Sequence, residues 1–138
     1  MRRIARLTAV AALLLVAGCA TDQRNQTLTA TLNAYANTVR WGNPANAQQF
    51  LDPAIRNKHP LTPIELSRFT QYRVSDYDDG SGPVATSENE VKQVVRIGIV
   101  NIHTQAERTL TDNQTWHYDP QAKHWWLTSP LPDFAPAQ

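Results

Sequence analysis

The spacing of apolar residues changes once along this chain, and that change restricts the fold more than any other feature. Leu28, Leu32, Tyr35 and Val39 recur at spacings of four, three and four, the stripe of an amphipathic helix. The pattern predicts a helix from about residue 26 to Trp41. Gly42 is placed to end it in the left-handed conformation that glycine adopts without strain. Asn43-Pro44 reads as a cap and a first helical position, opening a second short helix through Phe50 and Leu51. Asp52-Pro53 and His59-Pro60 punctuate a loop. Thr62-Pro63-Ile64-Glu65 is a capping box that starts a third short helix, to about Arg68.

Beyond that point the period falls to near two. Phe69 to Tyr77 reads as a strand that ends in the turn-rich Asp78-Asp79-Gly80-Ser81-Gly82-Pro83. Val91 to Ile102 is dense in Val and Ile and reads as apolar on both faces, hence central. Ala106 to Tyr118 runs back, Asp119-Pro120-Gln121-Ala122 turns, and His124 to Ser129 is a last strand stopped by Pro130, Pro132 and Pro136. Helices followed by a meander of strands give an α+β fold, with N-terminal helices packed in a curved, mainly antiparallel four-stranded sheet.

The first residues carry a different message. Arg2, Arg3 and Arg6 precede an apolar run from Leu7 to Ala17, which has the form of a secretory signal. The run is 11 residues long, well short of the roughly 20 that a spanning helix needs. Its end, Val16-Ala17-Gly18-Cys19, resembles the lipobox of bacterial lipoproteins. The resemblance implies cleavage before Cys19, which would carry a covalent diacylglycerol and an N-acyl chain; no other cofactor is expected. Ala20 stands where an inner-membrane-retained lipoprotein of Gram-negative bacteria tends to have aspartate. The resemblance therefore implies an outer-membrane protein, lipid-anchored and facing the periplasm. Cys19 is the only cysteine, so no intramolecular disulfide competes for its thiol.

This divides the chain into a signal peptide (1–18), a short flexible lipidated tether (19–25), one folded domain (26–130) and a proline-containing tail (131–138). Removing the three signal arginines leaves 10 basic residues against 12 acidic ones, a net charge of about −2. The remaining cations are scattered singly, which argues against a nucleic-acid partner. The expected partners are the membrane, through the anchor, and an envelope protein.

A long helix, a Trp-Gly-Asn-Pro turn, a short helix and four strands follow one another in this order. The last two strands carry Gln114-Thr115-Trp116 and Lys123-His124-Trp125-Trp126-Leu127. Over residues 26 to 130 the chain resembles the nuclear-transport-factor-2-like, or cystatin-like, cone, and in particular small bacterial lipoproteins of that type with no assigned activity. That superfamily includes isomerases and dehydratases as well as binding domains, so fold alone does not decide function.

Alternation along Ala106 to Tyr118 puts Arg108, Asp112 and Gln114 on the face of Leu110 and Trp116. A carboxylate at position 112 inside an apolar cone could work as a general base, in an isomerase or dehydratase. A bulge at Thr111-Asp112-Asn113, or pairing of the acid with Arg108, would remove that role. A binding domain, not an enzyme, is the preferred reading, with Tyr35, Trp41, Trp116 and Trp126 lining the interior. Consecutive residues alternate, so one of Trp125 and Trp126 should lie outside, either as a contact surface or covered by the tail at Phe134.

Metal binding is not expected. If Trp116 pairs with Trp126, His117 and His124 point to opposite sides, and further ligands are lacking. Asp76, Asp78 and Asp79 before Gly80 lack the spacing of a calcium loop. There is no nucleophile elbow, P-loop or dinucleotide fingerprint.

Overall fold

The structure is a computed structural model that describes residues 2–136, with side chains described over 18–136. Helix α1, Arg2–Trp41, is the long element of the fold. Leu28, Tyr35 and Val39 are buried along one stripe, with Leu32 packed against them. Gly42 ends the helix for a reason other than the expected left-handed turn. Its N–H reaches the Asn37 carbonyl at 3.2 Å, and a Cβ there would lie 2.9 Å from the Thr38 carbonyl oxygen.

Asn43 caps a 3-10 helix, Pro44–Phe50, by accepting a hydrogen bond from the Ala45 N–H. The loop expected at Asp52-Pro53 is instead a helix, α2, Pro53–Lys58. Asp52 accepts from the Ala54 N–H and Pro53 takes the first position, the same start signal as Asn43-Pro44. Helix α3, Pro63–Thr70, opens with the capping box of Thr62 and Glu65. It runs past Arg68, so Phe69 buries its ring from a helix rather than opening a strand.

Five antiparallel strands follow: β1 Tyr72–Asp78, β2 Val84–Ser87, β3 Glu90–Asn101, β4 Glu107–Asp119 and β5 His124–Leu127. The order is β1-β3-β4-β5, with the short β2 also paired to β3. β3 is central, but its outer face is not apolar throughout: Lys92, Val94 and Arg96 point outward between buried neighbours. Pairing of β3 with β4 is unbroken from Glu90–His117 to Val100–Glu107, whereas β1 slips register between Val74 and Asp76. A bulge of this kind increases local twist and bends its strand. Gly98 lies opposite, where a Cβ would come within 2.8 Å of Ser75 Oγ.

The result is a long helix packed on a curled antiparallel half-barrel of four main strands plus one. Its interior is aromatic: Tyr35 meets Trp116 at 5.2 Å and Phe50 at 5.4 Å between ring centroids, both edge-to-face. The packed body also takes in residues outside the expected span of 26–130. Phe134 is buried against Phe69 and Tyr72, and Arg24 is held by the sheet rather than lying in a loose tether.

Candidate functional site

Inward-facing positions of β4 carry a polar ladder into this aromatic interior. Asp112, Gln114, Trp116 and Tyr118 are all buried. No bulge interrupts β4 at Thr111-Asp112-Asn113, and Asp112 forms no salt bridge among the described residues. Its partner is Gln114, whose Nε2 donates to Asp112 Oδ2 at 2.8 Å and to the Tyr77 hydroxyl at 3.1 Å. Gln114 Oε1 accepts from Trp116 Nε1 at 3.1 Å and from Gln93 Nε2 at 3.3 Å. Two donors and two acceptor sites are all an amide has, so Gln114 is saturated and its orientation fixed.

Burial pushes the Asp112 carboxyl up to about 6, against the opposing effect of the Gln114 hydrogen bond. Burial likewise raises Tyr77 to about 12 and Tyr35 well above the ordinary phenol value, with the Asp112 charge adding to both. Such a carboxyl could hold or release a proton near neutrality. Access is the obstacle. Asp112 is 5% exposed, Gln114 1%, and Tyr35 and Trp116 not at all, so the ladder is covered by the rings around it.

Other expected lining residues lie elsewhere. Trp41 is 75% exposed, with the Arg40 guanidinium 4.6 Å from its ring. Two residues past Val39, it is turned about 200° away from the buried stripe. Trp126 is outside as well, because β4 pairs Trp116 with Leu127 and His117 with Trp126. Trp125 and Leu127 therefore fill the interior, while Trp126 stacks on His124 at 4.1 Å and is not covered by Phe134. The same register puts His117 and His124 on one face rather than on opposite sides. Among the described residues, no cluster of three or more His, Cys, Asp or Glu could hold a metal ion. Arg108 lies at the start of β4 and does not meet Asp112. It donates to the Phe134 carbonyl at 3.0 Å and to that of Ala135, with the Tyr72 ring 5.5 Å away. Cys19 and Gly18 are exposed; the side chains of Val16 and Ala17 lie outside the described residues.

An accessible and largely apolar groove lies outside the cone, where periodicity does not reveal it. The tail crosses in front of α2 and α3 and leaves a groove of about 370 Å³. Leu51, Ile55, Leu61, Phe69, Leu131 and Phe134 form its walls, and His59, Glu65, Arg68 and Asp133 its polar edge. Arg68 Nη1 lies 3.9 Å from Asp133 Oδ1. The available signal was compositional: Pro130-Leu131-Pro132-Asp133-Phe134 alternates chain-stiffening prolines with large apolar residues. That is unusual for a disordered end.

A helix on a curled antiparallel half-barrel is consistent with a nuclear-transport-factor-2-like or cystatin-like α+β fold. A scan against protein-family models and searches of curated proteins and of solved structures found no match.

Proposed function

We propose that this chain is a lipid-anchored accessory domain of the bacterial envelope. In this reading it is a small lipoprotein with a nuclear-transport-factor-2-like cone, held at the outer membrane through acylated Cys19 and facing the periplasm. It acts by binding rather than by catalysis, and the groove between α2, α3 and the tail takes a small apolar ligand or an apolar segment of an envelope protein. The groove carries this reading, since it is concave, largely apolar and edged by a few polar groups, the usual make-up of a ligand site. Support for the address comes from the Val16-Ala17-Gly18-Cys19 pattern and the exposure of Cys19.

Two measurements test it. Mass analysis of protein extracted from membranes should find acyl groups on an amino-terminal Cys19, and Cys19→Ser should leave the membrane fraction. For the groove, the neutral dye N-phenyl-1-naphthylamine should bind. Leu131→Asp should weaken that binding by about tenfold or more, since an uncompensated charge in an apolar site costs a few kcal/mol. Undiminished dye binding in that variant would remove the groove from the proposal.

One observation favours a second reading, a small isomerase or dehydratase with Asp112 as general base. The carboxyl is raised to about 6 beside two tyrosine hydroxyls, an environment suited to proton transfer. It ranks second because the acid is covered. Asp112→Asn would abolish such an activity and leave dye binding unchanged.

A further inference from the structure

The link between Cys19 and the folded body is short. Arg24 is already part of the body: its carbonyl accepts from Trp125 Nε1 at 3.1 Å, and its Nη1 donates to the Glu88 carbonyl at 3.0 Å. Its guanidinium also lies 5.1 Å from the Tyr118 ring centroid. Four residues lie between it and Cys19, which makes five residue steps. As helix those steps span about 7.5 Å, and fully extended no more than about 17 Å. The headgroup layer of one leaflet takes up roughly 5–7 Å of that reach.

Beyond the level of Arg24, the chain still projects toward the anchor. Tyr118 and Trp125 are paired partners beside Arg24, and the turn from Asp119 to His124 continues past them. About two more strand residues, roughly 7 Å, bring its tip to the headgroups.

We infer that the body stands directly on the bilayer. The end of the half-barrel formed by the Glu88–Asn89 turn and the β4–β5 turn lies against lipid headgroups, and the groove is held away from them. This rests on the lipid-anchor reading above. The charges at this end are mixed, Arg24 and Lys123 against Asp22, Glu88, Glu90 and Asp119, so the short reach of the chain and not charge attraction brings this end to the lipid. Glu88 is paired with Arg24 at 3.6 Å, Glu90 accepts from Thr86, and Asp119 accepts the N–H groups of Gln121 and Ala122 within the turn. Lys123 is exposed and forms no ion pair among the described residues; Asp22 is the exposed acid on the connecting helix. Trp126, on the outer face against His124, is the tryptophan near this turn that is not fully buried. The groove begins farther from this turn, at Leu51 and Thr128, where the Thr128 N–H donates to the Thr115 carbonyl three residues, or roughly 10 Å, up β4 from Tyr118. It extends to Phe134, which is tied to Arg108, ten residues or roughly 30 Å up the same strand.

Tryptophan quenching tests the orientation, because the two ends carry the two accessible indoles. Protein extracted from membranes is reconstituted in vesicles of phosphatidylethanolamine and phosphatidylglycerol with nitroxide-labelled headgroups. Trp126→Phe should remove most of the nitroxide-dependent quenching, and Trp41→Phe should leave it unchanged. Equal losses in the two variants, or loss only in Trp41→Phe, would overturn the inference. If mass analysis finds no acyl group, the lipoprotein reading fails separately. The orientation is then read on protein coupled through its single thiol, Cys19, to a maleimide lipid in the same vesicles, with the same two outcomes.

Discussion

The sealed interior and the open groove both set polar groups among apolar side chains, but they solve opposite problems. Inside the half-barrel, Gln114 joins Asp112, Tyr77, Gln93 and Trp116 in one hydrogen-bonded ladder, covered by Tyr35 and Trp116. Buried polar groups of this kind fix one arrangement of a core when they are satisfied, and are costly when they are not. In the groove the polar groups stand at the edge, in reach of water, and the apolar wall is what remains to be covered. The interior is thus closed by its own contacts, with only Gln93 Oε1 and the Tyr35 hydroxyl left without a hydrogen-bond partner among the described residues, whereas the groove leaves apolar surface open. A tryptophan or a carboxylate in a cone is not by itself a binding site; accessibility decides which of the two it is.

The largest test of that contrast is in the core. Trp116→Ala would remove edge-to-face contacts with Tyr35 and Phe50 and leave Gln114 short of a donor. It should cost about 3–5 kcal/mol, as large-to-small changes of buried aromatics do. Leu131→Ala, in the half-buried groove wall, should cost less than about 2 kcal/mol because little cavity forms at an open surface. Urea unfolding curves compare the two. Similar midpoints would mean that the groove is as structural as the cone.

Asp112 gives the next effect, and its sign is fixed by its surroundings. The folded protein keeps this proton up to about pH 6, whereas the unfolded chain releases it near 3.8. Between those values the native state binds more protons, so stability falls as pH rises through the window and levels off above it. Two pKa units correspond to about 3 kcal/mol. Asp112→Asn should therefore raise the melting temperature at pH 7, have little effect at pH 4, and flatten the slope between. An unchanged slope would mean that the carboxyl is not desolvated.

Much of this contrast was legible in the residues, though unevenly. Asp112, Gln114 and Trp116 were placed on one face by alternation alone, because β4 is long and its register against β3 has no slip. Trp126 was misplaced for the complementary reason: β5 is four residues long, and a shift of one residue exchanges Trp125 for Trp126. Trp41 shows a different weakness: it is expected to line the interior, although helical geometry two residues past Val39 turns it away. β2 was hidden in Gly-Pro and Ser-Glu-Asn punctuation that reads as turn. The groove was beyond reach because it is made by long-range contacts of a tail with no periodicity. Arg108 on the Phe134 carbonyl is one such contact.

That stitch supplies a third test, since it joins the sheet to the wall of the groove. Arg108→Ala should cost about 1.5–3 kcal/mol, the range for hydrogen bonds that involve a charged group. It should also weaken dye binding as the tail around Phe134 loosens, while leaving the pH slope from Asp112 unchanged. Loss of both would tie the groove to the interior and erase the distinction between them.

The smallest expected effect on stability is at the groove's edge, where it separates stability from specificity. Arg68 and Asp133 are 3.9 Å apart, with side chains 35% and 77% exposed. Exposed pairs with such geometry contribute between about 0 and 1 kcal/mol, so Asp133→Asn should scarcely move the melting temperature. The same change removes one of the two carboxylates near the Arg68 guanidinium at the groove's edge and leaves Glu65 as the other. An anionic dye such as anilinonaphthalene sulfonate should then gain affinity relative to neutral phenylnaphthylamine, and the gain should shrink as salt is added. A ratio that does not change between the two dyes would mean that bound molecules do not reach Arg68. The groove would then select its partner by shape alone.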